Sequence, residues 1–256
     1  MTERITGVMG AMHEEINGVV ELLSDVKEYT RGMRTYYSGT LNGIKTVVVF
    51  SRWGKVAAAT TVSNLILEFN ITELIFTGVA GAVNEDLNIG DIVIAKRLIQ
   101  HDMNAEPLIP RFEIPLLGKT YFECGHEQLI TATKAVNALL ETKQLHEVIS
   151  DEELKGFNIT SPKLVAGDIA SGDKFFSNTA DKHALLEKLP SVLCVEMEGA
   201  AVAQVCYEYG LPFTIIRTIS DAADEQSHID FPMFIKKISS RYSVEVVRNI
   251  YAQLQN

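Results

Sequence analysis

Short apolar runs of strand length alternate with helix-length segments along nearly the whole chain, and this restricts the possible fold more than any other feature. Residues 5–9, 34–41, 44–50, 73–77, 92–99, 164–170, 192–195 and 213–219 read as strands. Residues 14–23, 55–68, 127–142, 181–189 and 198–209 read as helices. Such alternation predicts an α/β fold with a mainly parallel sheet covered by helices on both faces. Asn42-Gly43 joins two of the runs. Both residues tolerate φ > 0, so a hairpin is expected there, which makes the sheet mixed. The expectation is one domain over residues 1–256, three-layered, with a central mixed β-sheet flanked by helices. No linker or repeat divides it.

Punctuation refines this reading. Gly210 is placed to end the 198–209 helix. Residues 73–77 should run into a glycine-containing turn. Asp230 and Pro232 read as the N-cap and first turn of a long final helix. Residues 103–119 hold Pro107, Pro110 and Pro115 without a clear period and read as a long ordered loop. Residues 151–156 read as exposed and mobile.

Several function classes are disfavoured. The net charge of −10 would repel nucleic acid and anionic membranes, though not a small nucleoside. No apolar run approaches the ~20 residues of a membrane span. The first residues, MTERITGVMG, lack the form of a secretory signal, so the cytoplasm is the expected compartment. Cys124, Cys194 and Cys206 are far apart and lack C-x-x-C spacing, so neither a disulfide framework nor a zinc site is expected. Cys194 and Cys206 read as buried thiols. Neither G-x-x-x-x-G-K-[ST] nor G-x-G-x-x-G occurs.

Ligands of such sheets bind at the carboxyl ends of strands. Those ends carry Gly10-Ala11-Met12-His13-Glu14-Glu15, Thr77-Gly78-Val79-Ala80-Gly81-Ala82, Ser171-Gly172-Asp173-Lys174-Phe175-Phe176, Val195-Glu196-Met197-Glu198-Gly199 and Arg217-Thr218-Ile219-Ser220-Asp221. With GKVAAA (54–59) and the continuation to His228, this ordered set resembles the methylthioadenosine/S-adenosylhomocysteine nucleosidases of the nucleoside phosphorylase superfamily. The matching segments run almost from end to end.

The resemblance implies a homodimer, no metal, no cofactor, and hydrolysis of the N-glycosidic bond of a 5′-substituted adenosine. Adenine leaves poorly until a ring nitrogen is protonated, and a water must be held on the opposite face of the ribose. Asp221 ends an apolar strand, where desolvation favours the protonated form, and is the candidate acid for adenine N7. Glu15 is the candidate that positions and activates water. Glu198 is expected to accept the ribose hydroxyls, with Met197 against the sugar. Phe175 is expected to stack on the purine and the Phe176 backbone to read its edge. Val79 and Gly81 are also expected to bind the substrate. Arg217 and Ser220 are expected to orient the water and Asp221 respectively. Ile109, Phe112 and Pro115 are candidates for the 5′-group pocket, partly across the dimer interface.

The sequence departs from the family at Val79, where a serine is often seen, and at Arg52-Trp53, where smaller residues are common. Trp53 is expected to pack against the first helix rather than trim the pocket. His101-Asp102 reads as a structural hydrogen-bonded pair. Two rivals stand: a purine nucleoside phosphorylase, which needs arginines for phosphate, and a nucleoside-binding protein without catalysis. The 5′-group stays open among methylthioadenosine, S-adenosylhomocysteine, 5′-deoxyadenosine and aminodeoxyfutalosine.

Overall fold

A computed structural model describes residues 3–141 and 144–255. Its elements run β1 (Ile5–Gly10), α1 (His13–Val20), β2 (Ser24–Arg31), β3 (Arg34–Leu41), β4 (Ile44–Phe50), α2 (Lys55–Phe69), β5 (Glu73–Ala82), β6 (Ile92–Gln100) and β7 (Phe122–Glu123). They continue with α3 (His126–Glu141), α4 (Gln144–Val148), α5 (Asp151–Gly156), β8 (Leu164–Ser171), α6 (Thr179–Lys188), β9 (Val192–Glu196), α7 (Gly199–Tyr209), β10 (Phe213–Asp221), α8 (Ser227–Phe234) and α9 (Ser240–Leu254). Thr142, expected to end the helix now seen as α3, lies outside the described residues.

This is an α/β domain with a central mixed sheet flanked by helices. Pairing follows the order β10-β6-β8-β9-β5-β1-β4-β3-β2, and β10 also pairs with β5. Strands β5, β10, β6, β8 and β9 therefore close on one another, and β1, β4, β3 and β2 extend from β5. Every residue of β10 is buried, because both neighbours and both faces of this strand are covered. One face packs Ala58, Val62 and Leu65 of α2 with Ala200, Val202 and Cys206 of α7. The other packs Ile16 of α1, Ala135 and Leu139 of α3, and Val246 and Ile250 of α9. Cys194 and Cys206 are buried free thiols, as expected.

The hairpin at Asn42-Gly43 is present, with both residues at positive φ. Four expectations are corrected. The first helix ends at Val20 instead of residue 23, and β2 follows; all eight of its residues are exposed, so it carries no apolar signature. Residues 151–156 form a helix, capped by Ser150, whose Oγ accepts from Glu153 N–H, and anchored by buried Leu154. The last helical region starts at Ser227, so Asp230 is not its cap and Pro232 lies inside α8. Its true start is the turn in which Asp224 N–H donates to Ser227 Oγ. A π-helical stretch, Ile235–Ser239, separates α8 from α9.

The fourth correction concerns the turn expected after Thr77. The strand instead continues through Gly78 and Gly81 to Ala82. Neither glycine has positive φ. Their purpose is to leave room. A methyl group added at Gly78 would sit 2.8 Å from Glu15 Oε1, and one at Gly81 would sit 2.8 Å from Asp221 Oδ1.

Candidate active site

The carboxyl ends of two groups of parallel strands meet where β5 crosses β9, with Gly81 beside Val195 and Ala82 beside Cys194. From one side come β1, β5 and β10; from the other, β8 and β9. A cavity with about 550 Å³ of atom-free space, its open mouth included, lies at this junction.

Of the residues singled out from sequence, Glu15, Val79, Gly81, Phe175, Phe176, Met197, Glu198, Ser220 and Asp221 all line the cavity. Arg217 does not. It is buried behind the wall, where Nη2 and Nε donate to Glu196 Oε2 at 2.7 and 3.2 Å and Nη1 donates to the Phe76 and Ile216 carbonyls. Ile109, Phe112 and Pro115 line no part of the cavity of their own chain. Phe112 packs against the cluster containing Phe176 and Ile99.

Asp221 is aimed by a register shift in β10. Arg217 lies beside Gly78 and Asp221 beside Gly81, with an irregularity between Ile219 and Asp221. Such bulges re-aim side chains next to sites. Ser220 Oγ donates to Asp221 Oδ2 at 2.8 Å and Ala223 N–H to Oδ1 at 2.9 Å. Burial raises the Asp221 pKa in spite of these bonds and one from Ser227, with the charge of Asp224 adding to the rise.

Glu15 is the third residue of α1. Its Oε2 accepts from Ala11 and Met12 N–H at 2.5 and 3.0 Å, so it also caps that helix. Burial pushes its carboxyl up to about 7, against the attraction of Arg217 and the amides of Met12, Ala11 and Val79. Glu198 Oε1 accepts from Gly54 N–H at 2.7 Å. Burial and the neighbouring charge of Glu196 push Glu198 up to about 8. Three carboxyl groups thus face one cavity, each held by amides or hydroxyls and each more readily protonated than in water.

Sequence reasoning missed Glu196. This buried carboxylate binds Arg217, the Ser171 hydroxyl, and the N–H groups of Glu198 and Gly199 at 3.2 and 2.8 Å. It fixes both the start of α7 and the guanidinium behind Glu15. The signal was present: Glu196 and Glu198 are two apart at a strand end, within a segment already quoted. Met12, Lys174 and Phe231 were also missed.

Two further expectations are corrected. Trp53 lines the cavity, where it meets Phe231 edge-to-face at 5.7 Å. His101 and Asp102 do not pair. Asp102 accepts from Lys55 Nζ at 2.5 Å and Asp173 N–H at 2.9 Å, and His101 Nε2 is buried without a partner. The strong cation beside Asp102 takes the place of the imidazole.

The missing side chain at Gly81 gives a test. Gly81→Ala would press a methyl group on Asp221 Oδ1 and, at 3.1 Å, on Ala223 Cβ. Overpacking of this kind costs about 1–3 kcal/mol. We expect a small fall in melting temperature but a loss of more than about tenfold in kcat/KM, because the displaced group is the candidate acid. A variant with unchanged kcat/KM would show that Asp221 need not occupy this position.

The fold and this arrangement are those of a nucleoside-cleaving α/β protein, and residues 5–251 match the profile of the phosphorylase superfamily. The chain belongs to that superfamily, in its methylthioadenosine/S-adenosylhomocysteine nucleosidase family. It is 32% identical over 255 residues to the aminodeoxyfutalosine nucleosidase of Helicobacter pylori strain ATCC 700392 / 26695, covering 99% of this chain and 100% of the relative. It is 32% identical to the 5′-methylthioadenosine/S-adenosylhomocysteine nucleosidase of Staphylococcus epidermidis, covering 94% and 97%. The crystal structure of the corresponding nucleosidase of Colwellia psychrerythraea with adenine superposes with a TM-score of 0.86 at 29% identity, covering 99% and 96%.

Among the described residues, no helix is long and apolar enough to cross a membrane, and no group of three or more His, Cys, Asp or Glu could hold a metal ion.

Proposed function

We propose that the protein hydrolyses the N-glycosidic bond of 5′-substituted adenosines, releasing adenine and the 5-substituted ribose. The observation that carries this reading is the convergence of Glu15, Glu198 and Asp221 on one cavity, with their pKa values raised. Asp221 gives its proton to adenine N7, so the base departs neutral as the C1′–N9 bond breaks. The ribosyl centre gains oxocarbenium character. Glu15 takes a proton from the water that adds to C1′. Glu198 accepts from the ribose hydroxyls, and its charge lies near the developing cation. Met197 packs against the sugar. Phe175 stacks on the purine, and the Phe176 backbone reads its edge. Ser220 keeps Asp221 oriented. Arg217 acts from behind the wall, by lowering the cost of ionising Glu15.

Phosphate has no evident seat. Lys174 is the one cation among the described lining residues, and it is held by Asp181 at 2.7 Å. No described lining cation is therefore left uncommitted to meet a dianion. Adenine release from methylthioadenosine should therefore have the same rate in phosphate-free buffer and with added phosphate. A requirement for phosphate would make the protein a phosphorylase and remove the role given to Glu15. No release under either condition would favour a binding protein.

We take the enzyme to be a cytoplasmic homodimer in which Ile109, Phe112 and Pro115 approach the partner's 5′-group pocket. Leu108, Leu116 and Val56 are large apolar side chains on the outer surface, as a contact with a second copy requires.

A further inference from the structure

The residue before α2 is Gly54, so the first amides of this helix have no capping side chain of their own. Two carboxylates from the far half of the chain take them instead. Gly54 N–H donates to Glu198 Oε1 at 2.7 Å, and Lys55 N–H donates to Asp173 Oδ1 at 2.8 Å. A helix start attracts such anions through its unpaired N–H groups and its dipole. The approach is close: a methyl group added at Gly54, where φ is +93°, would sit 3.1 Å from Asp173 Oδ1.

The Lys55 side chain reaches the same segment. Its Nζ donates to Asp102 Oδ1 at 2.5 Å and to Gln100 Oε1 at 3.4 Å, and lies 3.9 Å from Asp173 Oδ2. Asp102 Oδ2 accepts from Asp173 N–H at 2.9 Å. The bonds close a circuit: the Lys55 amine to Asp102, Asp102 to the Asp173 amide, and the Asp173 carboxylate back to the Lys55 amide. It ties the start of α2 to the ends of β6 and β8. Lys55, Asp102 and Asp173 do not line the cavity, yet each adjoins a group at the site. Gly54, beside Lys55, holds Glu198. Asp173 leads directly into Lys174, Phe175 and Phe176, which do line it. His101, beside Asp102, meets the Phe176 ring edge-to-face at 5.3 Å.

We propose that Lys55 is a positioning residue of the nucleosidase: through its circuit with Asp102 and Asp173 it holds the carboxyl that takes the ribose hydroxyls in register with the segment that takes the purine. The inference rests on the roles given above to Glu198, Phe175 and Phe176. A cation is required at this point. Without it Asp102 Oδ1 loses its donor, and two adjoining carboxylates repel each other with no counter-charge between them. Bonds between an ammonium and a carboxylate are of the strong kind.

The experiment uses the full-length parent, Lys55→Met, Lys55→Arg, Asp102→Asn and the Lys55→Met/Asp102→Asn double variant. It measures kcat and KM for 5′-methylthioadenosine, the adenine dissociation constant by calorimetry, and the melting temperature. Lys55→Met keeps the stem and removes the charge. It should raise KM and the adenine Kd about tenfold, the size of one charge-assisted hydrogen bond, and lower kcat by less than about threefold. Lys55→Arg should bring both constants back to within about threefold of the parent. The costs of Lys55→Met and Asp102→Asn should not add in the double variant, since both open one circuit. Unchanged KM and adenine affinity in Lys55→Met, or additive costs, overturn the inference. A joint fall in kcat, affinity and melting temperature that arginine does not restore also overturns it, because Lys55 then supports the fold alone. If Lys55→Met does not fold, Asp102→Asn decides: a raised KM and adenine Kd at the parent's melting temperature support the circuit, and unchanged constants sink it. Adenine binding that weakens in Lys55→Met while no protein cleaves methylthioadenosine supports the circuit and removes only the hydrolase reading.

Discussion

Asp221→Asn should lower kcat for adenine release by about 10²–10⁴-fold, the usual contribution of a positioned general acid. The substitution keeps the shape of the side chain. An amide oxygen can still accept from Ala223 N–H, as Asp221 Oδ1 does at 2.9 Å. What it removes is a proton that can be given away. Binding and thermal unfolding should therefore change little while turnover collapses. The chemistry offers an internal control. A ribose carrying a leaving group that departs without protonation, such as nitrophenolate, does not need the acid, so its cleavage should fall far less. Equal losses for both substrates would mean that Asp221 acts by shaping the site. A full rate with methylthioadenosine would exclude it from the mechanism.

The sequence exposed the elements whose burial is two-sided. Strand β10 was legible because all nine of its residues are buried and four of its first seven, Phe213, Ile215, Ile216 and Ile219, are apolar. Its last residue was legible as an acid for the same reason, since an aspartate ending such a run must be desolvated. Strand β2 was invisible for the opposite reason: it pairs only with β3, lies wholly in solvent and carries charges in place of alternation. The glycines of β5 were legible as a special place but misread in kind. Glycine signals a turn or a close approach, and only the position of Glu15 and Asp221 in space tells which. The contact of Trp53 with Phe231 joins segments more than a hundred residues apart, and Glu196 finds Arg217 21 residues away and Ser171 25 residues away, pairings of which local periodicity holds no record. Likewise the disagreement at His101-Asp102 was settled by Lys55, which is distant in sequence.

Glu15→Gln should also lower adenine release by about 10²–10⁴-fold, and the pH profile of the unmodified protein should say why. Glu15 must be ionised to draw a proton from water. Its pKa in the fold is about 7, where an ordinary glutamate has 4.5, so kcat/KM should rise with pH through about 7. An acid limb near 4.5 would mean that burial does not control this group, and would assign the limb to another residue. Stability must move in the opposite sense. A carboxyl whose pKa is raised by folding favours the fold fully below its unfolded value, and this contribution is lost as pH rises through about 7. Glu15→Gln has no proton to lose. Its stability relative to the parent should therefore improve between about pH 4.5 and pH 7, even as its activity vanishes. Denaturant midpoints at the two pH values measure this directly. Improved relative stability with lost turnover is what a buried charge kept for chemistry requires, because the fold carries a cost at Glu15 that only the reaction explains. If instead the variant lost stability equally at both pH values, Glu15 would be chiefly the cap of α1, bound through Ala11 and Met12, and the water would have to be activated elsewhere.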